Sequence, residues 1–264
     1  MGQVIVITSG KGGVGKTTTT ANIGSGLAKM GKSVVLIDAD IGLRNLDVVM
    51  GLESRIVYDL VDVVEGTCRV RQALIKDKRF DELYLLAAAQ TKDKSAVSPE
   101  QMVKLIASIV DEYDYIIIDC PAGIEQGFKN AIAAAHRAIV VVNPEVSSVR
   151  DADRIVGLLQ NAEIGEIQLV LNRLRPDLMR RGEMLSLDDV VDILAIDVLG
   201  VVPDDEAIVT STNRGETAAM DEKSPAGAGY RNIVERILNP AVPILEVQEE
   251  TGFISKIRKI FKRG

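Results

Sequence analysis

The chain has 264 residues, enough for one large α/β domain or two small ones. Apolar residues make up 47% while aromatics are 3% and tryptophan is absent, which calls for a core of Val, Ile, Leu and Ala such as a helix-covered parallel sheet provides. Net charge is −7, but residues 253–264 carry five basic side chains and no acid, so the body is 26 basic against 38 acidic and argues against a general nucleic-acid binder.

No signal peptide precedes the first strand, and Val6 stands where a myristoylation motif after Met1-Gly2 wants Ser or Thr. Gln3 to Thr8 is β-branched and apolar and predicts a buried strand. Directly behind it, Gly10-Lys11-Gly12-Gly13-Val14-Gly15-Lys16-Thr17 matches G-x-x-x-x-G-K-[ST], the phosphate-binding loop, with Thr18 following. Glycines let the backbone curl so that successive N–H groups face an anion. Lys16 brings a point charge to the β/γ-phosphates, and the Thr17 hydroxyl reaches Mg²⁺. From Thr17 to Met30 the pattern is helical, so the phosphates also meet a helix N-terminus. The same glycines satisfy the dinucleotide fingerprint G-x-G-x-x-G, and acids end the next strand, but that reading explains neither Lys16 nor Thr17. Lys11 is a second lysine inside the turn, where it cannot easily fold back onto the same phosphates.

Gly31 stops the helix, and Ser33 to Ile37 predicts a second buried strand. It ends in Asp38-Ala39-Asp40, at the strand edge where open α/β sheets place ligands. Two carboxylates near a triphosphate repel it unless a cation or an attacking water lies between. Asp38 therefore reads as a contact to Mg²⁺ through water and Asp40 as the group that orients or activates the hydrolytic water, with loop capping as the plain alternative. Gly42 to Asp47 reads as the switch I loop. Residues 55–80 predict short helices and turns, Leu83 to Leu86 a strand, and Ser98-Pro99 caps a helix from Pro99 to Asp111.

Tyr113 to Asp119 predicts a strand ending in Asp119, the Walker B carboxylate that holds Mg²⁺ through its water shell. Cys120-Pro121-Ala122-Gly123 reads as switch II, with the Gly123 N–H a sensor of the γ-phosphate. Cys68 and Cys120 are far apart with no C-x-x-C, which suggests neither disulfide nor zinc and suits a reducing cytosol. Ala138 to Val142 is a strand. His136, the only histidine, has no nucleophile or ligand partner near it and reads as a surface or helix-end residue. A helix follows from Ser147 to Ala162, then a strand from Ile167 to Leu171 closing with Asn172-Arg173. Val198 to Pro203 is the last strand, and its Pro203-Asp204-Asp205 exit borders the base through backbone groups. Ser224-Pro225 caps a final helix to Leu238.

The alternation predicts an α/β fold over residues 1–238: a doubly wound, mostly parallel sheet with helices on both faces, that of a P-loop NTPase. Residues 239–252, with two prolines and three glutamates, read as a solvated linker. Residues 253–264 form an amphipathic tail. On a helix, Phe253, Ile254, Ile257, Ile260 and Phe261 fall within an arc of about 120°. The cations Lys256, Arg258, Lys259, Lys262 and Arg263 fall outside it, the pattern of an interfacial helix on an anionic membrane. No apolar run nears the ~18–20 residues that span a bilayer.

K-G-G-V-G-K-T, D-A-D-I-G-L-R-N-L-D, I-I-D-C-P-A-G and the tail together resemble the septum-site-determining branch of the MinD/ParA class of deviant Walker A ATPases, over residue 3 to the terminus. The resemblance implies an ATPase that dimerises with ATP and Mg²⁺, Lys11 reaching the partner's nucleotide and Asn172 hydrogen-bonding adenine. It implies a cytoplasmic protein, peripheral on the inner face of the cell membrane when ATP-bound. There it would recruit a MinC-like division inhibitor and be released when a MinE-like activator stimulates hydrolysis. The alternative is a ParA-type DNA-segregation ATPase, which needs no apolar stripe in the tail; DNA binding is not expected here. A carrier of iron–sulfur clusters is disfavoured by the lack of paired cysteines, and a kinase or ligase by the lack of an identifiable acceptor pocket.

Overall fold

The computed structural model describes residues 2–247. In chain order the elements are β1 (Gln3–Thr8), α1 (Lys16–Lys29), β2 (Val34–Asp38), α2 (Leu46–Met50), α3 (Leu60–Val64), α4 (Val70–Ala73), β3 (Ile75–Lys76), β4 (Leu83–Leu86) and α5 (Pro99–Ala107). There follow β5 (Tyr115–Asp119), α6 (Gln126–Ile132), β6 (Arg137–Val142), α7 (Val146–Asn161), β7 (Glu166–Leu174), α8 (Pro176–Arg180), α9 (Leu187–Leu194), β8 (Asp197–Pro203), α10 (Ala207–Asn213) and α11 (Pro225–Leu238).

The strands form one sheet in the order β3-β4-β2-β5-β1-β6-β7-β8, all neighbours parallel except β3 against β4. It is the doubly wound α/β sheet that the sequence predicts. Pleating sends Val4 and Val6 to one face and Ile5 and Ile7 to the other, and both faces are dry. The first face packs α5, α7 and α9 through Leu105, Ile155 and Val190. The second packs α1 and α11 through Leu27, Tyr230 and Ile233. Burial on both faces is why the strands read as continuous apolar runs. Each such side chain, fully buried, stabilises the fold by roughly 1.5–3 kcal/mol relative to exposure. Chain order reverses at β1, which lies between β5 and β6, so the crevice opens at the carboxyl end of β1, where the glycine loop begins.

Element boundaries shift by small amounts with identifiable causes. The helix expected to reach Asp111 ends at Ala107, where Ser108 turns back and its hydroxyl donates to the Leu105 carbonyl at 2.6 Å. The strand expected to close with Asn172-Arg173 runs one residue further, to Leu174, and keeps Asn172 near its carboxyl end. His136 is exposed, the surface alternative of its expectation, and ends no helix. It stitches β6 to β1 at the amino edge of the sheet, its N–H donating to the Val4 carbonyl at 3.0 Å while its Nδ1 accepts from the Val4 N–H at 3.3 Å. The first part of the stretch expected as a solvated linker is tied down. The Asn232 amide donates to the Pro243 carbonyl at 3.0 Å and accepts from the Leu245 N–H at 2.9 Å, and Ile244 and Val247 pack on the core. Residues 248–252 and the amphipathic tail, with Phe253, Ile254, Lys256, Ile257, Arg258, Lys259, Ile260, Phe261 and Lys262, lie outside the described residues. Among the described residues no helix is long and apolar enough to cross a membrane.

Candidate functional site: a phosphate cradle and an adjoining cavity

The glycine loop joins β1 to α1 and its shape is set by what crowds it. Gly13 and Gly15 hold φ of +77° and +100°, which a side chain would strain. A Cβ at Gly10 would lie 2.3 Å from the backbone of Asp151 on α7, and one at Gly15 would lie 2.4 Å from the Asn172 amide. No side chain caps α1 at Gly15, so its first N–H groups are left to face an anion. Lys16 is 8% exposed and donates to the Ser9 hydroxyl at 3.0 Å, which in turn donates to the Lys11 carbonyl at 2.7 Å. Burial pulls the Lys16 amine below its usual range, opposed by the charges of Asp119, Cys120 and Asp40.

Asp38 and Asp119 end β2 and β5 and sit opposite each other in the register. Asp119 is pushed up to about 8, first by burial and then by the Asp38 charge, while the Thr17 hydroxyl and Lys16 oppose the rise. The Thr20 hydroxyl also donates to it at 3.3 Å. Burial pushes Asp38 up to about 6 although it accepts from three N–H groups. Those are Asp40 at 2.9 Å and Asn45 and Leu46 at 3.1 Å each. The plain alternative for Asp38, capping, is thus present: its oxygens hold switch I and the start of α2. Two buried carboxylates side by side, both raised, are short of a cation, and the donor set (Thr17, Asp38, Asp119) is the all-oxygen kind that suits Mg²⁺. Among the described residues no group of three or more His, Cys, Asp or Glu could hold a metal alone.

Asp40 follows on the same turn, close enough for its charge to act on both Lys16 and Asp119. In switch I, Arg44 adopts φ +44° and pairs with the buried Asp47 at 2.9 Å. In switch II, Gly123 has φ +94°, and burial pushes the Cys120 thiol up to about 12. Lys11 behaves unlike Lys16. Its side chain is 46% exposed, with Nζ 3.7 Å from Glu145 and 3.4 Å from the Ser147 hydroxyl at the start of α7, outside its own cradle.

Beside the cradle lies a cavity of about 290 Å³ lined by Gly15, Thr18, Asn172, Pro203, Asp204 and Tyr230 among others. The loop, β7 and the exit of β8 therefore converge as expected. The Asn172 amide nitrogen donates to the Val14 carbonyl at 2.7 Å, so one residue braces the loop and lines the cavity. Tyr230, Arg173, Ile208 and Val209 are lining residues that sequence reasoning missed. Tyr230, whose hydroxyl lies 3.3 Å from that of Thr19, was the one with a signal: a polar-tipped aromatic on the apolar face of α11 needs a partner when buried.

Known proteins share this arrangement. The family described as an AAA domain matches residues 2–167. The septum site-determining protein MinD of Bacillus subtilis strain 168 is 58% identical over 264 residues, covering 99% of this chain and 98% of its own length. A chain of the MinC:MinD cell division protein complex of Aquifex aeolicus is 49% identical with a TM-score of 0.87, covering 94% of this chain and 100% of that one. MinD of Pyrococcus horikoshii OT3, complexed with Mg-ADP, is 30% identical with a TM-score of 0.83, covering 91% and 98%.

Proposed function

The chain belongs to the MinD family of septum site-determining proteins, and we propose on that premise that it is an ATP-gated dimeric membrane switch. It is a nucleotide-binding protein of the P-loop ATPase class that acts in septum-site determination with ATP and Mg²⁺. The residues of the cradle fit that ligand: loop N–H groups and Lys16 take the β/γ-phosphates, and Thr17, Asp38 and Asp119 would hold the ion. When bound, Mg²⁺ neutralises charge on the phosphates. The cavity takes the base. The Asn172 amide gives one N–H to Val14, which holds the side chain at the cavity, and its oxygen is an acceptor that can pair with the amino group of adenine but not with the oxo group of guanine.

In this reading ATP is hydrolysed to ADP and phosphate. Asp40 orients the attacking water, the Gly123 N–H senses the γ-phosphate, and Lys11 acts in trans on the partner's nucleotide. The observation that carries it is the contrast between the two lysines, one buried in the cradle and one solvated beside Glu145 and aimed away from it. A group that completes the site only across a dimer couples hydrolysis to dimerisation, as an arginine finger in trans does.

Dimerisation then sets membrane residence. A short tail helix is marginal in water, and its cations contribute about 1 kcal/mol each at most near anionic lipid. One copy binds feebly, whereas two held together gain ~10²–10⁴ in avidity. On the membrane the dimer would recruit a MinC-like inhibitor, the partner in the Aquifex aeolicus complex, and a MinE-like activator would release it. The ParA-type alternative is not favoured, given a 58% identical septum-site relative and an acidic body.

The test is pelleting with anionic vesicles in ADP and in ATP, with and without residues 253–264. ATP-dependent pelleting that disappears with the tail is expected. Equal pelleting with both nucleotides, or a chain that stays monomeric with unhydrolysed Mg-ATP, contradicts the reading.

A further inference from the structure

Arg79, on the loop between β3 and β4, uses all three nitrogens of its half-exposed guanidinium as donors. Nε and Nη2 donate to Asp77 at 2.9 and 2.6 Å, Nη2 also donates to the Met50 carbonyl at 2.6 Å, and Nη1 donates to the Gly215 carbonyl at 2.5 Å. Asp77 itself is buried. Met50 is the last residue of α2 and Gly215 closes the turn after α10, so one cation satisfies the carbonyl ends of two helices. The two turns meet glycine against glycine, both at φ +65°. A Cβ on Gly215 would lie 2.5 Å from the Gly51 Cα, a closeness that excludes any side chain.

The far ends of these helices belong to opposite sides of the nucleotide site. α2 starts on the Asp38 carboxylate through the Asn45 and Leu46 N–H groups. α10 starts at Asp205, whose carboxylate accepts from Ala207 at 2.8 Å, and Ile208 and Val209 line the cavity. Arg79 therefore joins the carboxyl ends of two helices whose amino ends flank the nucleotide site.

We propose that Arg79 is a positioning residue that ties the cavity side of the nucleotide site to the Asp38 side, so that a base in the cavity sets the switch I helix. It acts through α2 and α10 and touches no ligand. The inference rests on the reading of the cavity as the base site.

Hydrogen exchange with adenosine, which has no phosphate, tests it on the full chain. Adenosine is raised until amides 204–209 exchange more slowly, and amides 49–52 at the end of α2 are then followed. In the unaltered chain their exchange should slow about fivefold or more, the low end of allosteric couplings. Arg79→Met with Asp77→Asn, which avoids stranding a buried carboxylate, should keep the slowing at 204–209 and lose it at 49–52. Gly215→Ala keeps the ion pair but wedges the two turns apart, and should have the same effect if the double variant does not fold. Indifference of amides 49–52 to adenosine in the unaltered chain overturns the proposal, as does unchanged slowing in the variants. If 204–209 never respond in the unaltered chain, the base-cavity reading itself fails.

Discussion

At the scale of single residues, the site is decided by which polar groups are already spoken for. Asn172 donates to Val14 and abuts Gly15, so its truncation affects loop and cavity together. Asn172→Ala should weaken ATP binding by about 1–3 kcal/mol and narrow the preference for ATP over GTP, measurable by calorimetric titration of both nucleotides. Lys11 is half exposed and holds little in place. Lys11→Ala should therefore leave the unfolding free energy within about 0.5 kcal/mol of the parent while abolishing hydrolysis and dimer formation together. A variant that still dimerises with ATP would remove Lys11 from the trans role. The two thiols differ as well. Burial puts Cys120 at about 12 and also raises Cys68, which is only half buried. An alkylating reagent at neutral pH should label Cys68 slowly and Cys120 only after denaturant exposes it, as mass spectrometry of the native and unfolded chain would show.

At the scale of elements, close helix packing explains residues that carry no chemistry. Gly26 on α1 lets α11 approach so closely that a Cβ there would sit 2.6 Å from a Val234 methyl, and Gly24 does the same against Leu36 of β2. Gly26→Val should cost about 1–3 kcal/mol in urea unfolding through overpacking, with the transition still cooperative. The start of α11 is bound to the cavity. The Ser224 hydroxyl accepts from the Gly227 N–H at 2.9 Å and donates to Asp205 at 2.6 Å, just past the cavity residue Asp204. Ser224→Ala loses an N-cap, worth about 1 kcal/mol, and removes one of the three donors that hold the cavity residue Asp205. Nucleotide affinity should fall along with stability, so stability alone falling in paired titration and melting measurements would uncouple the cap from the cavity.

At the scale of the whole molecule, the sheet does the positioning, because the reversal at β1 brings loops separated by a hundred residues or more to one edge. Asp38 and Asp119 are paired in register across β2 and β5. The proposed membrane function adds a dependence on the medium. Five cations on the tail act at a lipid surface within a Debye length of roughly 8–10 Å. ATP-dependent vesicle binding should therefore weaken steeply as salt rises, while nucleotide affinity in the cradle, being partly buried, changes far less. Co-sedimentation across a salt series, run beside nucleotide titration, checks both.

The sequence by itself determined the phosphate loop, the alternation of apolar strands with helices and the two strand-end aspartates. Each of these is written in the spacing of neighbouring residues, and local spacing obeys the fixed periods of strand and helix. It also ordered the fold class, since strands buried on both faces leave unbroken Val and Ile runs such as Tyr115 to Asp119. Only the tertiary structure decided that Asp38 caps switch I as well as facing Asp119, that Asn172 braces Val14, that Tyr230 reaches Thr19, and that Arg79 joins two helix ends. Those contacts pair residues from distant stretches, and the free energy that selects them comes from burial and from satisfying polar groups away from water, which no local pattern encodes.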